Sequence, residues 1–275
     1  MKMRILSAIV GVPIIILAFV FHSYFPMCLN ILASLASLIC TIEVLSAKQL
    51  NKNFKVSIPC AILSVLLPLL LSWNFQYLLI FAFVFYFFSL LIIKNSEFTF
   101  SDIAFILTTV LLICAGISCM ILSTMLDPVK SCYYAVLAIG VPWISDAGAY
   151  FVGVTMGKHK LCPSISPKKT IEGAVGGVVI GILGAIAISL VYDFLLFEAN
   201  VSINYLAVVI LSAIATFTAM VGDLTFSLVK RSCNVKDYGN VIPGHGGILD
   251  RCDSIIMTAP FIYVFVQFFP LITLN

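Results

Sequence analysis

Read as apolar and polar positions, the chain is a succession of long apolar runs broken by short polar segments. Nine runs approach the ~20 residues that crossing hydrocarbon requires: 5–21, 25–45, 56–72, 75–93, 103–123, 131–153, 173–196, 203–229 and 254–271. Each predicts a helix, because a segment alone in lipid must satisfy its own backbone hydrogen bonds. The expected fold class is all-α, a polytopic integral membrane protein of about nine transmembrane helices. The longest polar stretches, 157–172 and 230–253, are expected as loops, and no soluble domain is left over. Lys2 and Arg4 precede the first run as in a signal peptide, but no small-residue cleavage site follows, so a retained first helix is expected.

Composition agrees with this pattern. The chain is 62% hydrophobic and 10% charged, against about 25% charged in a soluble domain. The net charge of +3 decides little, but the placement of the cations decides more. If nine spans alternate, every Lys and Arg except Lys130 falls on one side. By the positive-inside rule that side, with the N-terminus and both polar stretches, is cytoplasmic. The nine cysteines form no CxxC pair, which argues against a zinc site or disulfide framework.

Texture changes along the chain. Residues 1–130 are almost purely apolar within their spans, with Glu43 the one acid well inside the helical pattern. The plain reading of Glu43 is a helix end near the surface. Beyond residue 140, acids, glycines, prolines and cations crowd into 142–177 and 222–254. The expected organisation is an N-terminal scaffold of transmembrane helices, 1–130, and a C-terminal catalytic region, 131–275. Helices seven and eight form a hairpin between the two polar stretches, so both reach one membrane face.

Asp223 is the most informative residue. It follows a long apolar run and precedes Lys230 by seven positions, about 10 Å of helix. An ionised Asp at mid-membrane costs ~2.5–3.5 kcal/mol, less at this shallower depth, yet it still calls for a partner. Ser227 and Lys230 lie on the same helix face. Asp223 either pairs with Lys230 and reaches toward water, or serves a cation or substrate site. Next come Lys230-Arg231, Lys236-Asp237, Pro243-Gly244-His245-Gly246-Gly247 and Asp250-Arg251-Cys252-Asp253. The proline and glycines forbid regular helix and let backbone N–H groups converge on an anion. An N-cap explains one of Asp250 and Asp253, but not two acids with an arginine between them. Hard carboxylate oxygens suit Mg²⁺, and Lys and Arg suit phosphate oxygens. His245 either donates to a phosphate or fixes the loop.

The earlier block holds Ser145-Asp146, Gly157-Lys158-His159-Lys160 and Ser166-Pro167-Lys168-Lys169-Thr170, followed by Glu172 and a glycine-rich helix. The glycines at 173, 176, 177, 181 and 184 are expected to serve close packing. Lys168 and Lys169 are either membrane-side anchors or, as two adjacent lysines at the start of a helix, a phosphate-handling turn.

The run from Ser227 to Asp253 resembles the signature of phosphatidate cytidylyltransferases (CDP-diacylglycerol synthases) with every spacing kept. The segment from Asp146 through Gly173 and the basic start from Lys2 to Gly11 are also similar to that family. The rest of the first half is similar only in hydropathy, and Cys252 departs from the usual apolar residue or Thr. The resemblance implies Mg²⁺-dependent transfer of CMP from CTP to phosphatidate, releasing pyrophosphate. It implies Asp223 and Asp250 as metal carboxylates with Asp253 a possible third, a second cation, and a homodimer. Phosphates then fall to Lys168, Lys169, Ser227, Lys230, Arg231, Lys236, His245, Gly246, Gly247 and Arg251, with Asp146 beside them. Rival readings are a transporter, whose intramembrane acids mark an ion path, a CTP-dependent lipid kinase of the dolichol type, and a membrane scaffold.

Overall fold

A computed structural model describes residues 13, 17–22, 24–25, 27–94, 96–126, 131–195, 201–239 and 246–274. Most of the expected first span, 5–21, lies outside the described residues, as do Lys2, Arg4 and His245. Eight α-helices follow: α1 (Met27–Ala47), α2 (Phe54–Leu69), α3 (Gln76–Ile93), α4 (Phe100–Met125), α5 (Ser131–Met156), α6 (Ile171–Leu195), α7 (Tyr205–Ser232) and α8 (Leu249–Phe268). Each corresponds to an expected apolar run, so the protein is an all-α, multi-pass membrane protein in its main architecture.

The number of spans is less simple. Among the described residues, α1, α3, α4, α5, α6 and α7 are long and apolar enough to cross a membrane. Helix α2 has 16 residues and two internal prolines, Pro59 and Pro68, and gives way to a 3₁₀ turn at Leu71–Trp73. At 1.5 Å per residue it spans about 24 Å, short of the ~30 Å hydrocarbon layer. Helix α8 opens on Leu249-Asp250-Arg251-Cys252-Asp253, which lowers its hydropathy. Helix α3 is apolar all round and leaves Tyr77, Leu78, Phe81, Phe85, Ile92 and Ile93 exposed, as a lipid-facing helix does.

Short strands punctuate the helices. The 157–172 stretch is an antiparallel hairpin rather than a loop: β1 (Lys160–Cys162) pairs with β2 (Ser166–Thr170) through an irregular register. A second pair joins β3 (Val201–Ile203) to β4 (Ile272–Leu274).

The chain divides into two compact units. The first comprises 1–121 and 232–252, so the second polar stretch groups with the N-terminal helices. Polar side chains bind its helices to one another. Asn30 donates to the Pro68 carbonyl at 2.9 Å, Ser34 to the Val65 carbonyl at 3.0 Å, and Ser64 to the Thr41 hydroxyl at 2.7 Å. Such bonds act as glue where lipid supplies no hydrophobic drive. At the surface, Lys55 pairs with Glu97 at 2.6 Å.

The second unit comprises 122–231 and 253–275. Helices α5 and α6 pack through the glycine stripe. A Cβ on Gly173 would meet the Ala149 carbonyl oxygen at 2.7 Å, and one on Gly177 the Ala149 Cβ at 3.1 Å. Tyr133 and Ser189 share a buried hydrogen bond of 2.7 Å across the same pair. The first contact is with backbone, which cannot rotate away. Gly173→Ala is therefore expected to cost about 1–3 kcal/mol, the usual price of overpacking. At Gly140 the obstacle is only the Cδ1 end of the Ile188 side chain, which can swing aside. Thermal unfolding in detergent should show a larger drop for Gly173→Ala than for Gly140→Ala; equal drops would contradict the backbone contact.

Candidate active site

Two clusters of chemistry-bearing residues emerge, one in each unit. In the second unit the hairpin presents its lysines by strand alternation, which sends successive side chains to opposite faces. Lys168 is exposed, while Lys169 forms an ion pair with Asp223 of α7. The expected turn at 168–169 is thus a strand, and only one of the two lysines reaches the acid. Glu172 anchors the hairpin by accepting the backbone N–H groups of Lys158 (3.0 Å) and His159 (3.2 Å) and contacting His159 Nδ1 at 2.6 Å. Thr170 caps α6, its hydroxyl accepting from the Gly173 N–H at 3.1 Å, a standard N-cap bond.

Asp223 is half-buried and is met on its own helix by Ser227, whose hydroxyl donates to Oδ1 at 3.4 Å. The neighbouring Gly222 is where α7 meets α8: a Cβ there would lie 2.7 Å from the Asp253 carbonyl oxygen. Asp253 is 6% exposed, and Asp223, Lys230 and Asp146 lie close enough to act on it electrostatically. It sits a turn inside α8, accepting from the Ser254 N–H at 2.8 Å, so it does not cap the helix. Ser254 in turn donates to Asp146 Oδ2 of α5 at 3.2 Å. Asp146, Lys169, Asp223, Ser227 and Asp253 are therefore gathered from three helices and a strand. Lys230 and Arg231 occupy the last turn of α7.

The first unit holds the rest. Asp250, in the first turn of α8, accepts two backbone N–H groups on Oδ2, from Tyr238 and Gly247, both at 3.0 Å. Gly246 has a φ of +85°, left-handed backbone that a side chain would strain. Backbone N–H groups do converge on an anion here, as the glycines led one to expect, but the anions observed are the protein's own carboxylates. Gly247 donates to Asp250, and the next two N–H groups go elsewhere. Lys236 and Arg251 are exposed.

Glu43 is the residue that sequence reasoning undervalued. It is 5% exposed, not a surface helix end. Its carboxylate accepts the Ile248 N–H at 3.0 Å and the Leu249 N–H at 2.8 Å, at the N-terminus of α8. The available signal was an acid within an apolar helix. Nothing local pointed to partners some two hundred positions away.

Asp223 and Asp253 in the second unit and Asp250 in the first are carboxylates, the hard-oxygen ligand type that suits Mg²⁺. Among the described residues no group of three or more His, Cys, Asp or Glu is arranged to hold an ion.

Comparison with known proteins draws on nearly the whole chain. The model of the cytidylyltransferase family matches residues 2–269. A phosphatidate cytidylyltransferase of Staphylococcus haemolyticus is 34% identical over 273 residues, covering 96% of this chain and 98% of that protein. One from Staphylococcus aureus is 34% identical with the same coverage. One from Bacillus subtilis is 39% identical over 180 residues, 65% of this chain and 63% of that protein. Matches of this extent take in both clusters and the helices that carry them, and the chain belongs to the cytidylyltransferase family.

Proposed function

We propose that the protein transfers CMP from CTP to phosphatidate, forming CDP-diacylglycerol and pyrophosphate, with Mg²⁺, at the cytoplasmic face of a bacterial cell membrane. The observation that carries this is the cluster around Asp223. An acid in an apolar helix, four residues before the run that resembles the family signature, is paired with Lys169 and lies beside Asp146 and Asp253, all three within the similar segments. Relatives named for this activity support it over nearly the full chain.

The chemistry needs little more than charge placement. The phosphate monoester of phosphatidate is already an anionic nucleophile. Its oxygen attacks the α-phosphorus of CTP, one P–O bond forms, and the bond to pyrophosphate breaks. No Ser–His pair is required. The barrier lies in bringing two anions together and in stabilising the departing pyrophosphate. Lys168, Lys169, Lys230, Arg231, Lys236 and Arg251 supply cations for this, with Ser227, His245, Gly246 and Gly247 assigned to phosphate oxygens. Asp223 and Asp250, with Asp253 as a possible third, are the carboxylates assigned to Mg²⁺. When bound, the ion supplies Lewis-acid polarisation of the phosphoryl oxygens.

The same reading includes nine spans, an N-terminal scaffold over 1–130, a catalytic region over 131–275, a second cation and a homodimer. The one-sided distribution of Lys and Arg supports a cytoplasmic N-terminus and cytoplasmic polar stretches. A site at that face suits a substrate whose acyl chains stay in the bilayer. The test is mass spectrometry of lipid recovered after incubating purified protein with phosphatidate, CTP and Mg²⁺. The product should carry an added CMP moiety, with one pyrophosphate released per lipid, and EDTA should abolish both. Unmodified phosphatidate after prolonged incubation would overturn the proposal.

A further inference from the structure

Glu43 has no part in the chemistry just described, yet the segment that carries Asp250 is built against it. Its two oxygens accept the N–H groups of Ile248 and Leu249, which at a helix start have no intrahelical partner. Its charge sits at the positive end of α8. Two glycines of the same segment are small where they face this carboxylate. A Cβ on Gly239 would lie 2.8 Å from Oε1, and one on Gly247 would lie 2.5 Å from Oε2. Asp250 closes the segment from the other side through Tyr238 and Gly247. Residues 238–239 and 247–250 are thus held between two carboxylates, Glu43 from α1 and Asp250 itself.

We infer that Glu43 is a positioning residue for Asp250, setting the rotation of the first turn of α8 and so the direction in which the Asp250 carboxylate presents its oxygens. This rests on the reading of Asp250 as a magnesium ligand. The physical reason is the one that makes outer partners of metal ligands matter: an ion binds tightly only to oxygens already held in place. A buried carboxylate with two backbone donors is a rigid support. Its position on α1, remote in sequence from every motif residue, makes the N-terminal helices part of the site's construction.

Glu43→Gln keeps the volume but turns one acceptor into an –NH₂ donor facing a backbone N–H. Gly239→Ala keeps Glu43 and presses on Oε1 from the other side. Mn²⁺ alone serves as the probe, titrated by electron paramagnetic resonance into the full-length protein in phosphatidylcholine nanodiscs. The same preparations give a melting temperature and the Mg²⁺ concentration for half-maximal CMP transfer. Both variants are expected to weaken Mn²⁺ binding by ~10–100-fold, the usual effect of losing an outer partner. The Mg²⁺ requirement should rise in step, while the KM for CTP at saturating Mg²⁺ changes little. Wild-type Mn²⁺ affinity in folded Glu43→Gln and Gly239→Ala protein would overturn the inference and leave the cytidylyltransferase reading intact. So would weakened binding that only tracks a lowered melting temperature and recovers fully on cooling. Absence of Mn²⁺ binding by the wild-type protein would sink the metal assignment and this inference together, whereas CMP transfer by that protein would still establish the activity.

Discussion

Asp223→Asn is expected to lower CMP transfer by at least ~100-fold, beyond the range for losing an outer partner of a metal site, while the protein still inserts and folds. Asn keeps the shape of the side chain and an oxygen for the Ser227 hydroxyl, which donates at 3.4 Å. What disappears is the charge, and with it the ion pair to Lys169. Each side chain keeps 25% of its surface exposed, so Lys169 can still reach water when the pair is lost, and the loss of stability is expected to be smaller than the loss of turnover. The variant therefore separates catalysis from folding. Membrane yield, elution volume and melting temperature close to wild type, with turnover lost, is the expected result. Normal turnover would refute the assignment of Asp223 to the metal. Lys169→Met is a lesser lesion, because it leaves the carboxylate in place and removes one cation among several.

At Asp250 two substitutions should part company. Asp250→Ala removes the acceptor for the Tyr238 and Gly247 N–H groups. A buried donor left unsatisfied costs about 1–3 kcal/mol, so this variant should lose both activity and several degrees of melting temperature. Asp250→Asn retains a carbonyl oxygen able to accept both N–H groups. It should stay close to wild type in stability and lose activity to the same degree as Asp223→Asn. Measuring melting temperature and turnover side by side checks this. If Asp250→Asn proved active, Asp250 would be a loop-closing residue and no more.

Much of the helical architecture was legible from hydropathy alone, because lipid admits so few alternatives to helix. The run read as 103–123 is helix α4, Phe100–Met125, and that read as 203–229 is α7, Tyr205–Ser232. The polar extensions, at both ends of α4 and at the C-terminal end of α7, escaped the pattern because helices continue past the hydrocarbon into polar turns, as at Lys230-Arg231. The hairpin was not legible. Ser166-Pro-Lys-Lys-Thr170 shows no alternation of apolar and polar positions, and its strand character comes from pairing with Lys160–Cys162. Pro167 can sit there because a short, irregular edge strand tolerates a missing N–H.

The candidate site was legible where the chemistry was local. Asp223 with Ser227 follows from helix periodicity, and their contact is observed. Long-range pairings were not legible. Asp223 pairs with Lys169, some fifty positions earlier, a partner that neither reading of the helix spacing, Lys230 or a cation or substrate site, had named. Asp146 stood in the polar block with no partner named, and its bond to Ser254 depends on how α5 and α8 pack. Glu43 is the extreme case. Its charge in an apolar helix was visible, and the glycines at 239 and 247 were visible, but only folding brings them to the same carboxylate.

The most direct test of the proposed reaction follows the phosphorus atoms of CTP in parallel assays of the purified full-length protein with phosphatidate and Mg²⁺. With label in the α-phosphate, radioactivity should pass into the lipid, and with label in the γ-phosphate it should leave as pyrophosphate. Label from the γ-position appearing in the lipid, with none from the α-position, would make the protein a CTP-dependent lipid kinase and contradict cytidylyl transfer.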